Sequence, residues 1–526
     1  MNLFYVLLIL IFTQLLNAEE NKDQELDRLR LKNKPTIQEF QRLIELETGK
    51  NLYENDGFKY YKRYTNFWAN RLRDNKPDPV KLFEDFNTPS KIKDRRRLQS
   101  SQPRWEELGP FSPPIGSNGL GRVNVVRVHP NDPSRIFAGA ASGGIWRSDD
   151  YGVSWRLLPG TDFLTMAISD IAISPIAPNI MYAATGDANT YLASPDEYSI
   201  GIIKSTDGGE SWNMTNLAYT LNLQKLVGRV LVDPRNADYL IAGTVDGVFV
   251  SEDGGDTWEN TASGNMFKDL EFHPEDPDIV YGSTASRSGS VGIYKSTDKG
   301  KSWTLKRSFD GALRAEIAVS PAAPDFVYAV GAQISERNSE LSGAFHSFIV
   351  SEDLGETWEI SATYDEYPDI LGNNPENSSN HQGFYDLCIA VNPQDEDEVE
   401  IGGVRLWYTS NGGNTWFYND DFNRRNDNAL GMHVDHHFAE FTSTGDSVWL
   451  GNDGGVWLMD LKNNAYHFRS EGMNITQFYK MDVSQQDINM MTGGCQDNGS
   501  FLALDNDTWD EIVGGDGMDN GINPQN

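Results

Sequence analysis

From about residue 123 onward, apolar and polar residues alternate in short runs, and each run stops at Gly, Pro, Asn or Asp. VVRVHPNDP, IAISPIAP, VLVDPRNAD, LEFHPEDP and IAVSPAAP each read as a strand that ends in a Pro-containing turn. A second short strand follows in RIFAGA, IMYAAT, YLIAGT, IVYGST and FVYAVG. A Gly turn then leads to a third, in GIWRS, GIIKS, GVFVS and GIYKS. An octapeptide turns the chain again, and its Trp opens a fourth strand. Four short strands per repeat correspond to one propeller blade. The predicted fold class is therefore all-β: a multi-bladed β-propeller of four-stranded blades, preceded by a short helical N-terminal segment.

The octapeptide is Ser-x-Asp-x-Gly-x-Ser/Thr-Trp. It appears as SDDYGVSW, STDGGESW, SEDGGDTW, STDKGKSW and SEDLGETW, and a variant, SNGGNTW, ends at Trp416. Successive Trp residues lie 45–58 positions apart, a blade-length interval. The chemistry of this box is structural. Its Asp accepts backbone N–H groups within the hairpin, its Gly supplies positive φ, and its Trp buries a large face between sheets. Asp150, Asp207, Asp253, Asp298 and Asp353 are thus expected to hold turns, not substrates. Trp155, Trp212, Trp258, Trp303, Trp358 and Trp416 are expected to wedge neighbouring blades. The grammar continues more loosely through residues 436–468 as a seventh blade, and through QFYKMDVS, MMTGGCQDNGSFLAL and Trp509 as an eighth. The propeller is expected over 101–526 with about eight blades. Either eight close a ring, because each blade edge needs a partner, or the chain is a piece of a longer one.

Upstream the pattern changes. Leu3 to Leu16 form an apolar run followed by Asn17-Ala18-Glu19, which reads as a signal-peptide core over residues 1–18. This predicts a secreted protein or one of the secretory-pathway lumen. No later segment holds 18 consecutive apolar residues, so no transmembrane segment is expected after it. Residues 19–100 carry helical spacing at Ile37, Phe40, Leu43 and Ile44, and again at Tyr60, Tyr64, Phe67 and Trp68. They read as a helical segment packed on the propeller, or as a pro-segment released at the basic run Lys93-Asp94-Arg95-Arg96-Arg97.

Composition narrows the function classes. Hydrophobic residues at 38% suffice for a packed interior. A net charge of −33 repels phosphate backbones, so a nucleic-acid partner is not expected. Cys388 and Cys495 allow one bridge or two buried thiols. Sequons begin at Asn213, Asn377, Asn474, Asn498 and Asn506, the pattern of a glycoprotein where the host glycosylates.

Gly431-Met432-His433-Val434-Asp435-His436-His437 holds three of the eight histidines. On a strand, His433, Asp435 and His437 share one face. Such a set would bind a divalent cation, or else form a hydrogen-bonded His/Asp network; no other cofactor is indicated. Polar residues on Gly turns and strand ends form a second group: Arg122, Asn124, Asp187, Asn189, Asp453, Gln496, Asp497, Asn498 and Asp516. Such turns on a rigid scaffold are where binding resides. If they converge near the channel, they make a polar concave site.

The octapeptides resemble the Asp-box, or BNR, repeats of sialidases, xyloglucan-degrading glycosidases and sortilin-type receptors. GRVNVVRVHPNDPSRIFAGAASGGIWRSDDYGVSW, with GNDGGVW, GGCQDNG and GGDG, is most similar to the sortilin N-terminal propeller and its exported relatives. The resemblance covers roughly residues 104–523. It implies a secreted propeller that binds a peptide or protein segment. The alternative it implies is a carbohydrate-active enzyme with a glycan ligand, using a carboxylate pair among Asp187, Asp453, Asp497 and Asp516. Against the enzyme stands Ala140-Ala141-Ser142-Gly143-Gly144, which lacks the carboxylate that xyloglucanase-like propellers carry before the Gly-Gly of the first blade. The balance favours a non-catalytic binding module.

Overall fold

The computed structural model describes residues 107–523 apart from 161–164, 193–196, 335–342, 369, 374–380, 419–424, 427–430 and 506–507; upstream it describes residues 25, 28–29, 36–48, 72–73 and 76–77. The signal-like run, the aromatic stretch at 60–68, the basic run at 93–97 and the sequons at Asn377 and Asn506 lie outside these residues.

Two compact units divide the chain, residues 1–98 and 99–526. In the first, helix α1 spans Ile37–Thr48. Its start follows a capping box: Glu39 N–H donates to Thr36 Oγ1 at 3.2 Å, while Thr36 N–H donates to Glu39 Oε2 at 2.9 Å. Leu43 and Leu46 turn the apolar stripe onto Leu29.

Among the described residues the second unit contains eight four-stranded antiparallel arrays, each built in chain order, and the seventh carries a further short strand, Arg425–Asn426, parallel to its last, Ala465–Phe468. They cover residues 123–157, 168–218, 227–263, 266–310, 312–363, 388–418, 436–468 and 478–513. Sheets 4 and 5 are also linked by a single bridge between Ala285 and Arg314. The first strand of each of sheets 1–6 packs against the first strand of the next, and that of sheet 7 (His436–Phe441) packs against that of sheet 1 (Val123–His129). Seven sheets thus close a ring.

The seam between sheets 7 and 1 is built like the other junctions. Val123, Val125, Phe438 and Trp449 share one apolar cluster. Arg127 Nη1 reaches Glu440 Oε2 at 2.7 Å, and the Trp155 indole N–H donates to Arg469 O at 2.5 Å. Sheet 8 lies outside this circuit. Its first strand, Phe478–Val483, is half-buried or exposed, whereas the ring's first strands are mostly buried. It is tied to the segment before sheet 1, where Ile115 N–H donates to Trp509 O and Glu511 N–H to Ile115 O, both at 2.9 Å.

The boxes take the form their composition dictates. In the first, Asp150 Oδ1 accepts Ser154 N–H and Ser148 Oγ–H at 2.8 Å, and Oδ2 accepts Ser154 Oγ–H at 2.6 Å. Asp207, Asp253, Asp298 and Asp353 repeat the pattern. The sixth copy substitutes Asn411, which accepts Thr415 N–H at 2.9 Å and donates to Thr415 Oγ1 at 2.8 Å. The indoles of Trp212, Trp258, Trp303 and Trp358 donate to the glycine carbonyl three residues back, at 2.9–3.1 Å. The residue before the conserved glycine is also left-handed. Gly208, Gly254 and Gly412 fill it without cost, but Tyr151, Lys299 and Leu354 hold it at φ of 60–62°.

Hydrogen bonds from Ser154 hold the Asp150 carboxyl below the usual carboxylate range. A lowered folded value means that its contribution is present above the unfolded value of about 3.9 and is lost as pH falls below it. Asp150→Ala is expected to lower the melting temperature at neutral pH by roughly 1–2 °C. That gap should narrow as pH falls from about 4 toward 2. Thermal scans of both proteins across that range would show it, and a gap independent of pH would contradict it.

Candidate functional site

The site grows from the ends of first strands and the turns beside them. Arg122 directly precedes the first strand of sheet 1 and is 4% exposed. Its guanidinium donates to the Asp187 carboxylate and to the Tyr385 hydroxyl, and it stands 5.2 Å over the Tyr385 ring. Asp187 follows the second strand of sheet 2 and caps the short 3-10 turn Ala188–Thr190, accepting Asn189 N–H at 3.2 Å. Asn124 Nδ2 donates to Asp187 Oδ1 at 3.2 Å and to Ile168 O at 3.1 Å. Asn189 Oδ1 accepts from Lys268 Nζ at 3.0 Å.

Asp453 sits in the Gly turn after the second strand of sheet 7. Its Oδ1 lies 2.7 Å from His437 Nε2, and its Oδ2 accepts the Tyr385 hydroxyl at 2.9 Å. Burial opposes its charge, but His437 and then Arg122 hold Asp453 well below the usual carboxylate range. Burial pushes His437 down in turn, so a neutral imidazole donates to a carboxylate. Tyr385 therefore bridges the Arg122–Asp187 pair and the Asp453–His437 pair.

Sheet 8 contributes its loop. Asn498 Nδ2 donates to Asp453 O at 2.9 Å, His433 Nε2 lies 3.2 Å from Asp497 O, and Asp497 N–H donates to Asp516 Oδ1 at 3.2 Å. Gln496 Nε2 is 3.5 Å from the Tyr385 hydroxyl. Asp497 and Asp516 are half-buried, whereas Asp187 and Asp453 are buried. Asp435 accepts Gln382 Nε2–H at 3.1 Å. Burial, then Asp453 and Asp497, push its carboxyl up to about 7.

The structure thus brings the sequence-predicted residues together in one connected cluster, but the strand face expected for His433, Asp435 and His437 is not formed. The strand begins only at His436, and Asp435 is left-handed at φ +64°, so the alternation assumed for residues 433–437 is broken. His433 turns to Asp497 O, His437 to Asp453 and Asp435 to Gln382. Among the described residues no three His, Cys, Asp or Glu side chains are grouped to hold a metal ion. Cys388 and Cys495 are free and buried, and burial raises both thiols, so the bridge left open by the sequence is not formed. Of the described sequons, Asn213 is exposed, Asn474 half-buried and Asn498 buried.

The inner strands also enclose a polar cavity lined by Asn189, Arg229, Lys268, Asp269, Arg314 and His437, among others. Ion pairs link the inner strands of neighbouring sheets. Arg127 pairs with Asp170 at 2.9 Å, and Arg229 pairs with Asp269 and Glu271, both at 2.8 Å. Burial and Arg314 push the Lys268 ammonium down to about 8. Tyr385 and Asp386 belong to the HQGFYDL stretch between sheets 5 and 6, outside every box and strand, which is why the sequence pattern passes over them.

A family model described as Sortilin, neurotensin receptor 3 (Sortilin-Vps10) matches residues 246–398. A xyloglucanase of Paenibacillus sp. is 24% identical over 344 residues, 57% of this chain and 31% of the relative. An oligoxyloglucan-reducing end-specific xyloglucanase of Emericella nidulans is 28% identical over 211 residues, 37% of this chain and 25% of the relative. This chain therefore spans about a third or less of the length of these curated relatives. Among solved structures, the GH74 xyloglucanase from Xanthomonas campestris superposes with a TM-score of 0.58 at 17% identity, covering 77% of this chain and 62% of that one. The GH74 enzyme of Niastella koreensis gives 0.55 at 16% identity, covering 78% and 70%.

These findings correct the expectation of a peptide- or protein-binding module. That reading followed the sortilin-like motifs and the missing first-blade carboxylate, yet the relatives matched over longer stretches are xyloglucanases. The chain is an Asp-box β-propeller that resembles both the sortilin N-terminal domain and the GH74 glycosidases.

Proposed function

We propose that this chain is a secreted carbohydrate-active protein, a glycoside hydrolase acting on a xyloglucan-type polysaccharide. The observation that carries the reading is the 344-residue similarity to a xyloglucanase. The carboxyl cluster supports it, because glycoside hydrolysis needs two placed carboxyl groups with different protonation. Asp435, pushed up to about 7, is the proton donor. Asp497, half-buried beside it, is the carboxylate on the open side. Asp453, fixed by His437 and Tyr385, positions the cluster and stays charged. The stretch Ala140–Gly144 offers no carboxylate, so both groups come from this cluster. The signal-like N-terminus supports export, and among the described residues no helix is long and apolar enough to cross a membrane.

The test is turnover on a panel of polysaccharides, read as released reducing ends. Xyloglucan is expected to be cleaved in preference to unbranched β-glucan, mannan or xylan. Asp497→Ala is expected to lower the rate about a hundredfold or more, and Asp453→Ala to lower it comparably. Folded wild-type protein that releases nothing from any member of the panel would end this reading.

A further inference from the structure

Asp386 is fully buried in the segment that joins sheets 5 and 6, and neither of its carboxyl oxygens meets a hydrogen-bond donor. Its surroundings are acidic. The Asp435 carboxyl lies within hydrogen-bonding contact, and the Asp453 carboxylate acts on it through space. Arg314 is the cation that opposes them. Its guanidinium is already engaged by Glu316 at 2.6 Å and by the carbonyls of Tyr385 and Leu387 at 3.1 and 2.9 Å. An ionised carboxylate here would be desolvated, without donors, and facing like charge. A carboxylic acid satisfies the contact, because its O–H can donate to Asp435. Burial, then Asp435 and Asp453, push Asp386 well above the usual carboxylate range, in the same direction as the geometry.

From this arrangement we infer that Asp386 is a positioning residue that remains a carboxylic acid at neutral pH and donates its O–H to Asp435. The consequence for catalysis rests on the hydrolase reading above. When Asp435 passes its proton to the glycosidic oxygen, the carboxylate left behind accepts hydrogen bonds from Asp386 O–H and from Gln382 Nε2–H, whose nitrogen lies at 3.1 Å. Asp386 keeps its own proton throughout. It never touches the substrate; it stabilises the conjugate base of the group that does.

Infrared spectra of the intact protein without substrate test the assignment. They are taken at about pH 8.5, where Asp435 has ionised. The wild type is expected to show a protonated-carboxyl C=O band that Asp386→Asn removes and Asp435→Asn keeps. Asp386→Glu should shift the band without removing it, which covers the case of an amide variant that fails to fold. In turnover, Asp386→Asn retains a donor and should stay near wild type. Asp386→Ala loses the donor, so its kcat should fall about tenfold and the alkaline limb of its pH profile should move upward. Three results would overturn the inference: spectra unchanged by Asp386→Asn, an amide variant as impaired as the alanine, or calcium ions raising the melting temperature of wild type but not of Asp386→Asn. An inactive wild type that still shows the band would sink the hydrolase reading and leave the acid–carboxylate pair standing.

Discussion

Asp435→Asn is expected to lower polysaccharide hydrolysis about a thousandfold in kcat, with KM little changed. An amide fills the same space but has no acidic proton to give to a leaving sugar. The pH dependence follows from the same environment. With its carboxyl pushed up to about 7, Asp435 is protonated below neutrality and ionised above it. A general acid must start protonated, so the wild-type rate should fall as pH rises through about 7. The asparagine variant should lose that limb together with most of its rate. Steady-state kinetics of both proteins at matched pH values would check this, with circular dichroism confirming the fold. An asparagine variant within threefold of the wild type would remove Asp435 from the mechanism.

The second large effect is on stability. Arg122→Met should cost about 3–5 kcal/mol, because it leaves a buried partner charge uncompensated. Both side chains of the Arg122–Asp187 pair are almost wholly buried, 4% and 1% exposed. Removing the guanidinium leaves Asp187 with Asn124 and its own turn as donors, and takes from Tyr385 the cation above its ring. The double variant Arg122→Met/Asp187→Asn removes both charges and should recover a good part of the loss, so the pair should show strong coupling in a double-mutant cycle. Denaturation midpoints of the four proteins measure it. A single variant that costs under about 1 kcal/mol, in the range of exposed pairs, would show that the pair is not what holds this cluster.

How far the sequence could be read differs between scaffold and site. The boxes are local: Asp, Gly and Trp act within one hairpin, so their spacing announces each sheet, and Asn411 in the variant copy performs the same task. The number of sheets in the ring is not local. It depends on whether Arg127 faces Glu440, and no periodicity in either neighbourhood encodes that contact. Arg122, Asn124, Asp187, Asn189 and Asp453 could be picked out because they sit on Gly turns and strand ends. Tyr385, which bridges them, and Asp386 lie in a connection without repeat signal. The shared strand face expected for His433, Asp435 and His437 is broken for a backbone reason: one left-handed residue, Asp435, shifts the phase on which the two-residue alternation relied. The binding-module reading failed because motif likeness in the repeats reports the scaffold, which hosts several activities.

The seam between the seventh and first sheets has a kinetic meaning. Neighbouring sheets elsewhere meet through residues about 44 positions apart, as Asn124 meets Ile168, but this junction joins residues 313 apart. That is nearly three doublings of loop length, or roughly 2 kcal/mol of extra closure entropy. The seam is therefore the junction most expensive to assemble and the one with most disorder to regain on opening. Arg122 and Asp453 stand on its two sides, spanned by the Tyr385 hydroxyl. A nascent chain that has built its early blades thus holds Arg122 and Asp187 without Asp453, and the bridge through Tyr385 is completed only with annular closure.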